Sequence, residues 1–208
     1  MEEVVKRLTL AVYEIYIEII ESTEKKICAS ISNRGKIDSC QVIIHCMNQM
    51  LEGNIWRLLN KTFVYEFHRY RTSVGLPADK NSTKAFIEYV GKLNREEIGS
   101  WFEKYPVLEN MVRNNIQNTC DYIMRVLGDY YMDYEELISI MGITNDAMLI
   151  ELKPMNSDPH NKGTMVLFAK FSDGHHVIYK ARSFGADLLI KKILFVLTIL
   201  LLIYHAGW

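Results

Sequence analysis

The chain has 208 residues, of which 49% are apolar and 24% are charged. This length is enough for a domain with a sizeable core, and the balance of residue types is that of a soluble globular protein. The formal net charge of −1 argues against a general nucleic-acid binder, and we expect no nucleic-acid partner.

Apolar residues recur at three- and four-residue steps through residues 1–72, which is the period of a buried helix face. The stretch SISNRGKIDS, residues 30–39, interrupts this pattern and predicts a loop. Gly75 and Pro77 then stop the second helical stretch, because proline cannot continue a helix.

The next helices are predicted from their capping residues. Ser82 is the predicted N-cap of a helix that runs through Leu93, and Asn94 is the predicted N-cap of a short helix. Two further helices are predicted over residues 107–127 and 133–141. The region that ends at residue 145 is therefore predicted to be mainly α-helical.

The apolar period then changes from about 3.6 to 2, which predicts strands over residues 148–153, 164–171 and 176–182. Ser172-Asp173-Gly174 joins the last two strands, and Asp-Gly is a strong hairpin signal. The predicted fold class is therefore α+β, with a mainly α-helical N-terminal region followed by a small antiparallel β unit.

The loop SDPHNKG at residues 157–163 combines an acid, an imidazole, an amide, a lysine and a glycine. Asp158 and His160 are two positions apart, and such a pair can move a proton at neutral pH. Gly163 gives steric room for backbone N–H groups to approach a phosphate. Lys180 on the third predicted strand offers a cationic amine, as in the kinase arrangement of a strand lysine beside a phosphate-covering loop.

Simpler interpretations of the same residues stay open. The segment can be an ordinary β-hairpin with a polar surface loop, in which Asp158 makes a local turn hydrogen bond and His160 is solvated. Arg182, predicted on the face of Lys180, can brace a phosphate or pair with a helix carboxylate. No glycine-rich phosphate loop of either common pattern occurs in the sequence.

Charge and cysteine usage add two expectations. Residues 151–183 carry five basic and three acidic side chains, whereas residues 1–150 carry 17 basic and 21 acidic ones, so the local surplus suits an anionic ligand. The four cysteines show no metal-ligand spacing, which predicts buried or free thiols in a reducing compartment. The same spacing predicts no metal-ligand residues. The N-terminus shows no signal peptide, so a cytoplasmic location is expected.

These motifs also carry a family likeness. KPMNSDPHNKGTMVLFAKFSDGHHVIYKARS, residues 153–183, resembles the start of the catalytic core in the dehydratase domain of class II lanthipeptide synthetases, the LanM-type lantibiotic modification enzymes. Upstream, FHRYRTSVGLP, FEKYPVLENMV, NTCDYIMRVLGDYYMDYEELI and MLIELKPMNSD resemble the stretches that precede this core. The resemblance covers residues 60–187 and is specific because several motifs occur in the expected order.

The resemblance implies a fold and a reaction. It implies that the β unit is the N-lobe of a kinase-like fold similar to lipid kinases, and that the cofactors are ATP and Mg²⁺. Such bacterial enzymes phosphorylate serine and threonine hydroxyls of a precursor peptide, composed of leader and core, and then eliminate the phosphate to give dehydroamino acids. The zinc of the family's separate cyclase domain is not expected here.

Roles in the site come from the same resemblance. Lys180 matches the strand lysine that contacts nucleotide phosphates. Asp158 and His160 match the acid and imidazole implicated in phosphoryl handling or elimination. The resemblance also implies that three neighbouring motif positions help to bind the nucleotide. In this sequence they are Asn161, Gly163 and Arg182.

The family's remaining catalytic groups would follow Asp187, and they are not found in this sequence. We therefore interpret the chain as a truncated N-terminal part of the dehydratase domain and expect no dehydratase activity from it alone. Expected partners are a precursor peptide and a missing catalytic half or cyclase domain. The alternative is a non-catalytic helical and β-hairpin binding module.

The C-terminal tail, residues 188–208, contains the apolar run ILFVLTILLLIY at 193–204. Three interpretations stay open: a buried element of a larger core, a membrane tail with Lys191 and Lys192 at the headgroups, or the product of a reading-frame change. The predicted organisation is thus a helical region (1–145), a strand unit with a phosphate-loop-like motif (146–187) and this tail.

Overall fold

The structure, a computed structural model, describes residues 1–75, 82–155 and 164–180. They form a mainly helical fold with a small antiparallel sheet. The helices are α1 (Glu2–Ile15), α2 (Ile17–Arg34), α3 (Cys40–Ser73), α4 (Ser82–Lys92), α5 (Arg95–Lys104) and α6 (Pro106–Met141), and the strands are β1 (Leu149–Pro154), β2 (Leu167–Phe171) and β3 (His176–Tyr179).

Helices α1 and α2 are separated by one residue, Tyr16, whose φ of −110° and ψ of 22° interrupt the helical geometry. Its hydroxyl donates a hydrogen bond to Glu109 Oε1 of α6 at 2.9 Å. The break therefore lies where a buried tyrosine side chain ties the N-terminal helices to α6.

Two long helices form the centre of the molecule. Helix α3 has 34 residues and α6 has 36 residues, and they pack against each other. Between them, Asn54 Nδ2 donates to Thr119 Oγ1 at 3.4 Å, and both side chains are buried. The hydrogen bond offsets part of the cost of burying these two polar groups.

Short helices α4 and α5 close one side of the core. The Asn94 side chain accepts a hydrogen bond from the Glu97 backbone N–H at 2.9 Å and so caps α5. Trp101 of α5 is fully buried, and its Nε1 donates to Glu97 Oε1 at 2.9 Å. Pro106 then begins α6, at the first helical turn, where a missing N–H costs nothing.

The three strands form an antiparallel sheet in the order β1-β2-β3. Leu149 pairs with Phe171 and Glu151 pairs with Lys170, so the register shifts between Leu149 and Glu151. Leu149 and Phe171 belong to the same hydrophobic core as the helices. The sheet is therefore packed onto the helical region through one face.

A second attachment holds the edge strand β1. Ile37, in the loop between α2 and α3, forms a parallel bridge with Leu149. The Asp38 N–H donates to the Leu149 carbonyl at 3.0 Å, and the Leu149 N–H donates to the Lys36 carbonyl at 3.1 Å. The α2–α3 loop, residues 35–39, thus extends the sheet by one short backbone pairing.

Tyrosines of α6 hold this loop in place. The Tyr130 hydroxyl donates to the Lys36 carbonyl and the Tyr131 hydroxyl donates to the Gly35 carbonyl, each at 2.8 Å. Lys36 has φ of 69°, which is uncommon for a side chain other than glycine. Its Nζ donates to the Asn145 carbonyl at 2.9 Å, so both backbone and side chain of Lys36 are tied down.

Most predicted elements are present. The N-cap at Asn94, the three antiparallel strands and the tight turn after β2 are confirmed. Residues 30–34 were predicted as loop, but α2 continues to Arg34, because its buried face extends to Ile31.

Further boundaries differ from the prediction. Lys180 was predicted within the third strand, but it follows the last residue of β3, Tyr179. The two helices predicted over residues 107–127 and 133–141 are one helix, because α6 continues through Gly128 with buried residues on both sides. Ser82 is the first helical residue of α4 and not its N-cap. Strand β2 begins at Leu167, although Thr164 makes an isolated bridge.

Within the described part of the chain, no helix combines the length and the apolar character that a membrane span requires. The tail at 188–208, on which the membrane interpretation depends, lies outside the described residues.

Candidate functional site

Of the six residues predicted for the phosphate site, Lys180 lies in the described part of the chain. The other five lie outside the described residues: Asp158, His160, Asn161, Gly163 and Arg182. The site as a whole therefore stays a prediction, and the geometry around Lys180 is what the structure adds.

Lys180 lies at the end of the sheet where β1 and β2 are joined. Pro154 pairs with Leu167, and Leu167 pairs with Tyr179. Lys180 is the next residue and is exposed. Neighbouring strands are about 4.8 Å apart, and β2 lies between β1 and β3. The backbone of Lys180 is therefore within about 10 Å of the end of β1. Both ends of the connection between β1 and β2, Pro154 and Leu167, lie at this same end of the sheet.

The face on which Lys180 projects follows from the alternation along β3. Val177 and Tyr179 are half-buried against the core, whereas His176 and Ile178 are exposed. Lys180 continues this alternation on the exposed side. We call this the outer face of the sheet, and the face that packs on the helices the inner face.

The outer face carries a row of three side chains across the strands. Phe168 of β2 pairs with Lys153 of β1 and with Ile178 of β3. The Lys153 ammonium lies 4.9 Å from the centre of the Phe168 ring, and the His176 ring stacks on the same phenyl group at 5.6 Å. The outer face is therefore partly apolar, with a lysine ammonium and an imidazole ring beside a phenyl ring.

A cavity of about 650 Å³ lies between the inner face of the sheet and α6, and at the edge strand β3 its lining also includes Ile178 and Lys180 of the outer face. Its walls come from the sheet, from α6, from α3 and from the α2–α3 loop. The apolar lining residues include Ile37, Ile43, Val126, Leu149, Leu152 and Val177. Polar groups from two elements also line the cavity: Arg125, Asp129 and Asp133 of α6, and Tyr179 and Lys180 at the end of β3.

A hydrogen bond fixes the end of β3 to α6. The Tyr179 hydroxyl donates to Asp129 Oδ2 at 2.6 Å. Burial, together with this bond to a carboxylate, raises the pKa of Tyr179 above its ordinary value. The Tyr179 phenol is therefore a neutral hydrogen-bond donor at physiological pH. Its bond to Asp129 fixes Tyr179, the residue immediately before Lys180.

A neighbouring tyrosine makes a similar link. The Tyr122 hydroxyl of α6 donates to the Met165 carbonyl, and burial raises the pKa of Tyr122. The Arg125 guanidinium lies 5.3 Å from the Tyr122 ring centre. Helix α6 is thus hydrogen-bonded both to the segment before β2 and to the end of β3. These two segments are the described residues next to the predicted phosphate site.

These α6 residues were not among the predicted site residues. Residues 128–132 were predicted to lie outside any helix, so Asp129 and Asp133 were not expected on successive turns of one helix. A signal was present, because the spacing of Val126, Tyr130 and Tyr134 continues the apolar period across Gly128.

At the other end of the sheet, Asp173 organises the β2–β3 turn. Its Oδ2 accepts from the Thr144 N–H at 2.8 Å and its Oδ1 accepts from the His175 N–H at 3.1 Å. These backbone hydrogen bonds, above all the one from Thr144, lower the pKa of Asp173 to about 2. Gly174 has φ of 93°, a conformation that suits glycine. The Asp-Gly turn was predicted from the sequence. The hydrogen bond that Asp173 accepts from the Thr144 N–H, in the segment before β1, was not.

The cysteines behave as predicted for free thiols. All four are unpaired, and Cys46 and Cys120 are buried. A hydrogen bond to the Cys40 side chain, followed by burial, raises the pKa of Cys28 to about 11, and burial raises that of Cys46 to about 12. Among the described residues, no group of three histidine, cysteine or acidic side chains could hold a metal ion.

Part of the chain matches a known protein family. Residues 105–199 match a family model described as "Domain of unknown function (DUF4135)". This stretch contains α6 and all three strands, and it continues into the tail, through the first part of the apolar run at 193–204. No curated protein matches the chain. Lys180 and the cavity residues of α6 and the sheet thus fall within the matched stretch, whereas Ile37 and Ile43, which also line the cavity, lie outside it.

Proposed function

We propose that this chain is part of a peptide dehydratase of the lanthipeptide-synthetase type, which uses ATP and Mg²⁺ to phosphorylate serine and threonine side chains of a precursor peptide. Elimination of the phosphate would then leave dehydroalanine or dehydrobutyrine. The observation that supports this proposal most is the position of Lys180, at the end of the sheet where the segment 156–163 joins β1 to β2.

The physical reason is electrostatic. Triphosphate oxygens carry a dense negative charge, and phosphoryl transfer depends on positioning and neutralising that charge. The backbone of Lys180 is within about 10 Å of the end of β1, and its exposed side chain can reach towards a ligand held by the connecting segment. Tyr179, bound to Asp129, limits how far the end of β3 can move.

Roles for the remaining residues come from the resemblance. Asp158 and His160 would handle the proton of the substrate hydroxyl or of the elimination step. Asn161 and Gly163 would contact the phosphates, and Arg182 would brace them. Each of these roles requires that residues 156–163 lie over the end of the sheet next to Lys180.

A binding experiment tests the proposal on the full chain. Lys180→Ala should weaken binding of a non-hydrolysable ATP analogue with Mg²⁺ by about tenfold, as expected for loss of a charge-assisted contact of about 1.5 kcal/mol. The matched control is Lys170→Ala, because Lys170 is also an exposed sheet lysine but lies near the turn at the opposite end. Titration calorimetry gives the affinities, and thermal unfolding checks that both variants fold.

Equal affinity for the Lys180→Ala variant and the unmodified chain would overturn the assignment of Lys180. Absence of nucleotide binding by the unmodified chain would favour the second candidate, a non-catalytic binding module. The observation that favours this candidate is the apolar cavity behind the sheet, which has the size of a ligand or peptide site.

A further inference from the structure

Two cysteines lie on either side of the α2–α3 loop. Cys28 is in α2, and Cys40 is the first residue of α3. Both side chains are partly exposed, whereas Cys46 and Cys120 are buried. A reagent in solution therefore reaches the two thiols that flank the loop more readily than the other two.

The Cys28 and Cys40 thiols are in direct contact. Their side chains are hydrogen-bonded to each other, and the helices that carry them, α2 and α3, pack together. A disulfide requires two Cβ atoms about 3.5 to 4.5 Å apart, with the side chains directed at one another. Hydrogen-bonded thiols already face each other, so a disulfide can form here with little movement of the backbone.

The two thiols differ in their surroundings. Cys40 is at the N-terminus of a 34-residue helix, where the helix dipole and the backbone N–H groups of the first turn stabilise a thiolate. Cys28 lies well inside α2. The hydrogen bond to Cys40, then burial, and further the charges of Cys40 and Glu24 raise the pKa of Cys28 to about 11. Cys40 is therefore the thiol that attacks an oxidant first, while Cys28 stays protonated.

The loop between these cysteines is the one that pairs with β1. Ile37 forms a parallel bridge with Leu149, and the Asp38 N–H donates to the Leu149 carbonyl at 3.0 Å. A covalent link between the two thiols would join the ends of this segment and restrict its opening. The thiol pair thus lies where its oxidation state acts on the attachment of the sheet.

We propose that Cys28 and Cys40 form a reversible disulfide in response to a hydroperoxide, and that this disulfide clamps the α2–α3 loop onto β1. In a reducing compartment such a disulfide is transient and serves as a redox sensor. The inference is independent of the proposed nucleotide site, because it concerns a different loop and involves no phosphate.

The oxidation takes place in two steps. The Cys40 thiolate attacks one oxygen of hydrogen peroxide and breaks the O–O bond, which leaves a sulfenic acid on Cys40. The hydroxide that is released takes up the proton lost by the Cys40 thiol and becomes water. Cys40 then no longer places a thiolate beside Cys28, so deprotonation of Cys28 becomes easier.

In the second step the Cys28 sulfur attacks the Cys40 sulfur. The S–O bond breaks, and the hydroxyl leaves with the Cys28 proton as a second molecule of water. The two thiols together lose two electrons, and the peroxide is reduced to two molecules of water. A low-molecular-weight thiol reverses the change by thiol–disulfide exchange and is itself oxidised to its disulfide.

Peroxide treatment of the full chain tests the proposal. The reduced protein is exposed to hydrogen peroxide, digested and analysed by tandem mass spectrometry, which distinguishes Cys40 from Cys46. The expected product is an intrachain link between Cys28 and Cys40, with a mass decrease of about 2 Da for the two hydrogens lost, and dithiothreitol should reverse it. Mixing isotope-labelled and unlabelled protein identifies links between copies. Links only between copies, or no link between these two cysteines, would overturn the proposal.

A matched pair of serine variants tests the roles of the two thiols. Cys28→Ser should stop the reaction at a sulfenic acid on Cys40, which dimedone traps. Cys40→Ser should give about tenfold less dimedone adduct on Cys28, because that thiol has no helix N-terminus to stabilise its thiolate. Thermal unfolding checks that both variants fold. Equal adduct yields in the two variants would contradict the assignment of Cys40 as the attacking thiol.

Amide exchange tests the effect on the sheet. The Asp38 and Leu149 N–H groups, which pair the loop with β1, should exchange about fivefold more slowly in the oxidised chain than in the reduced chain. The buried Trp101 of α5 provides a reference N–H whose exchange should not change. Peroxide-treated Cys28→Ser, which is oxidised without a link, should exchange like the reduced chain. Equal exchange at Asp38 and Leu149 before and after oxidation would overturn the proposed clamp.

Discussion

The helical region and the sheet are stabilised in different ways. Helices α1 to α6 surround a continuous core that fully buries large side chains such as Trp101, Leu8 and Met47. Among the described residues the sheet has three short strands, and it buries one face, through residues such as Leu167 and Phe171. Its outer face leaves Ile150 and Ile178 exposed.

This difference shows how a marginal sheet is held. A three-stranded sheet gains much of its stability from what it packs against, and here α3 and α6 provide that surface. The α2–α3 loop adds backbone pairing to β1, and Tyr130 of α6 fixes that loop. At the end of β3, the Tyr179 hydroxyl donates to Asp129 of α6. The helices therefore act as the support on which the candidate phosphate site is positioned.

The largest expected effect is a loss of stability when isoleucine is replaced by alanine in the helical core, compared with the same replacement on the sheet. Ile98→Ala in α5 removes a side chain that is 0% exposed, and it should lower the free energy of unfolding by about 2 to 5 kcal/mol. Ile150→Ala on the outer face should cost less than about 1 kcal/mol. Chemical denaturation measures both values, and equal losses would contradict the difference in burial between the regions.

An intermediate effect is expected at the attachment of β1. Tyr130→Phe removes the hydroxyl that donates to the Lys36 carbonyl and should cost about 1 kcal/mol. The Leu149 N–H, which donates to the same carbonyl, should then exchange with solvent about fivefold faster. Tyr65→Phe, in a tyrosine that is 56% exposed, is the control. Unchanged exchange at Leu149 would show that Tyr130 does not hold the loop.

The smallest effect is a pH dependence at the β2–β3 turn. The pKa of Asp173 is lowered to about 2 from an ordinary value of 3.8, so its charged form stabilises the folded state above pH 3.8. This contribution is lost as the pH falls through about 2. The melting temperature of the Asp173→Asn variant should therefore be lower than that of the unmodified chain at pH 5, and the difference should shrink as the pH falls towards 2. A constant difference would show that the Asp173 charge is not involved.

The elements that local patterns specify were predicted well from the sequence. Asn94 was recognised as a cap because a capping side chain needs only its own helix, and the β2–β3 turn was recognised because Asp-Gly suits that geometry. Helix α6 was predicted in two pieces, and the gap between them begins at Gly128, a residue type that lowers helix propensity. Tertiary packing overrides that local preference, since Ile123, Val126 and Tyr134 are buried on either side of Gly128.

The contacts that position the site could not be predicted in the same way. The bonds from Tyr179 to Asp129 and from Tyr130 to Lys36 join residues 50 and 94 positions apart. Such pairs carry no local sequence signal, because each residue alone is typical of an ordinary strand, helix or loop. Lys180 was chosen from its strand pattern and from a family resemblance, and the pairing of β1, β2 and β3 places it at the predicted end of the sheet.

The most direct test of the central claim is nucleotide protection of Lys180 in the unmodified full chain. Reductive methylation of lysines, read by mass spectrometry, is compared with and without a non-hydrolysable ATP analogue and Mg²⁺. We predict that the nucleotide slows methylation of Lys180 severalfold and leaves Lys170 unchanged, because a bound phosphate shields the amine that it contacts. Equal methylation rates of Lys180 in the two conditions would contradict a phosphate site at this end of the sheet.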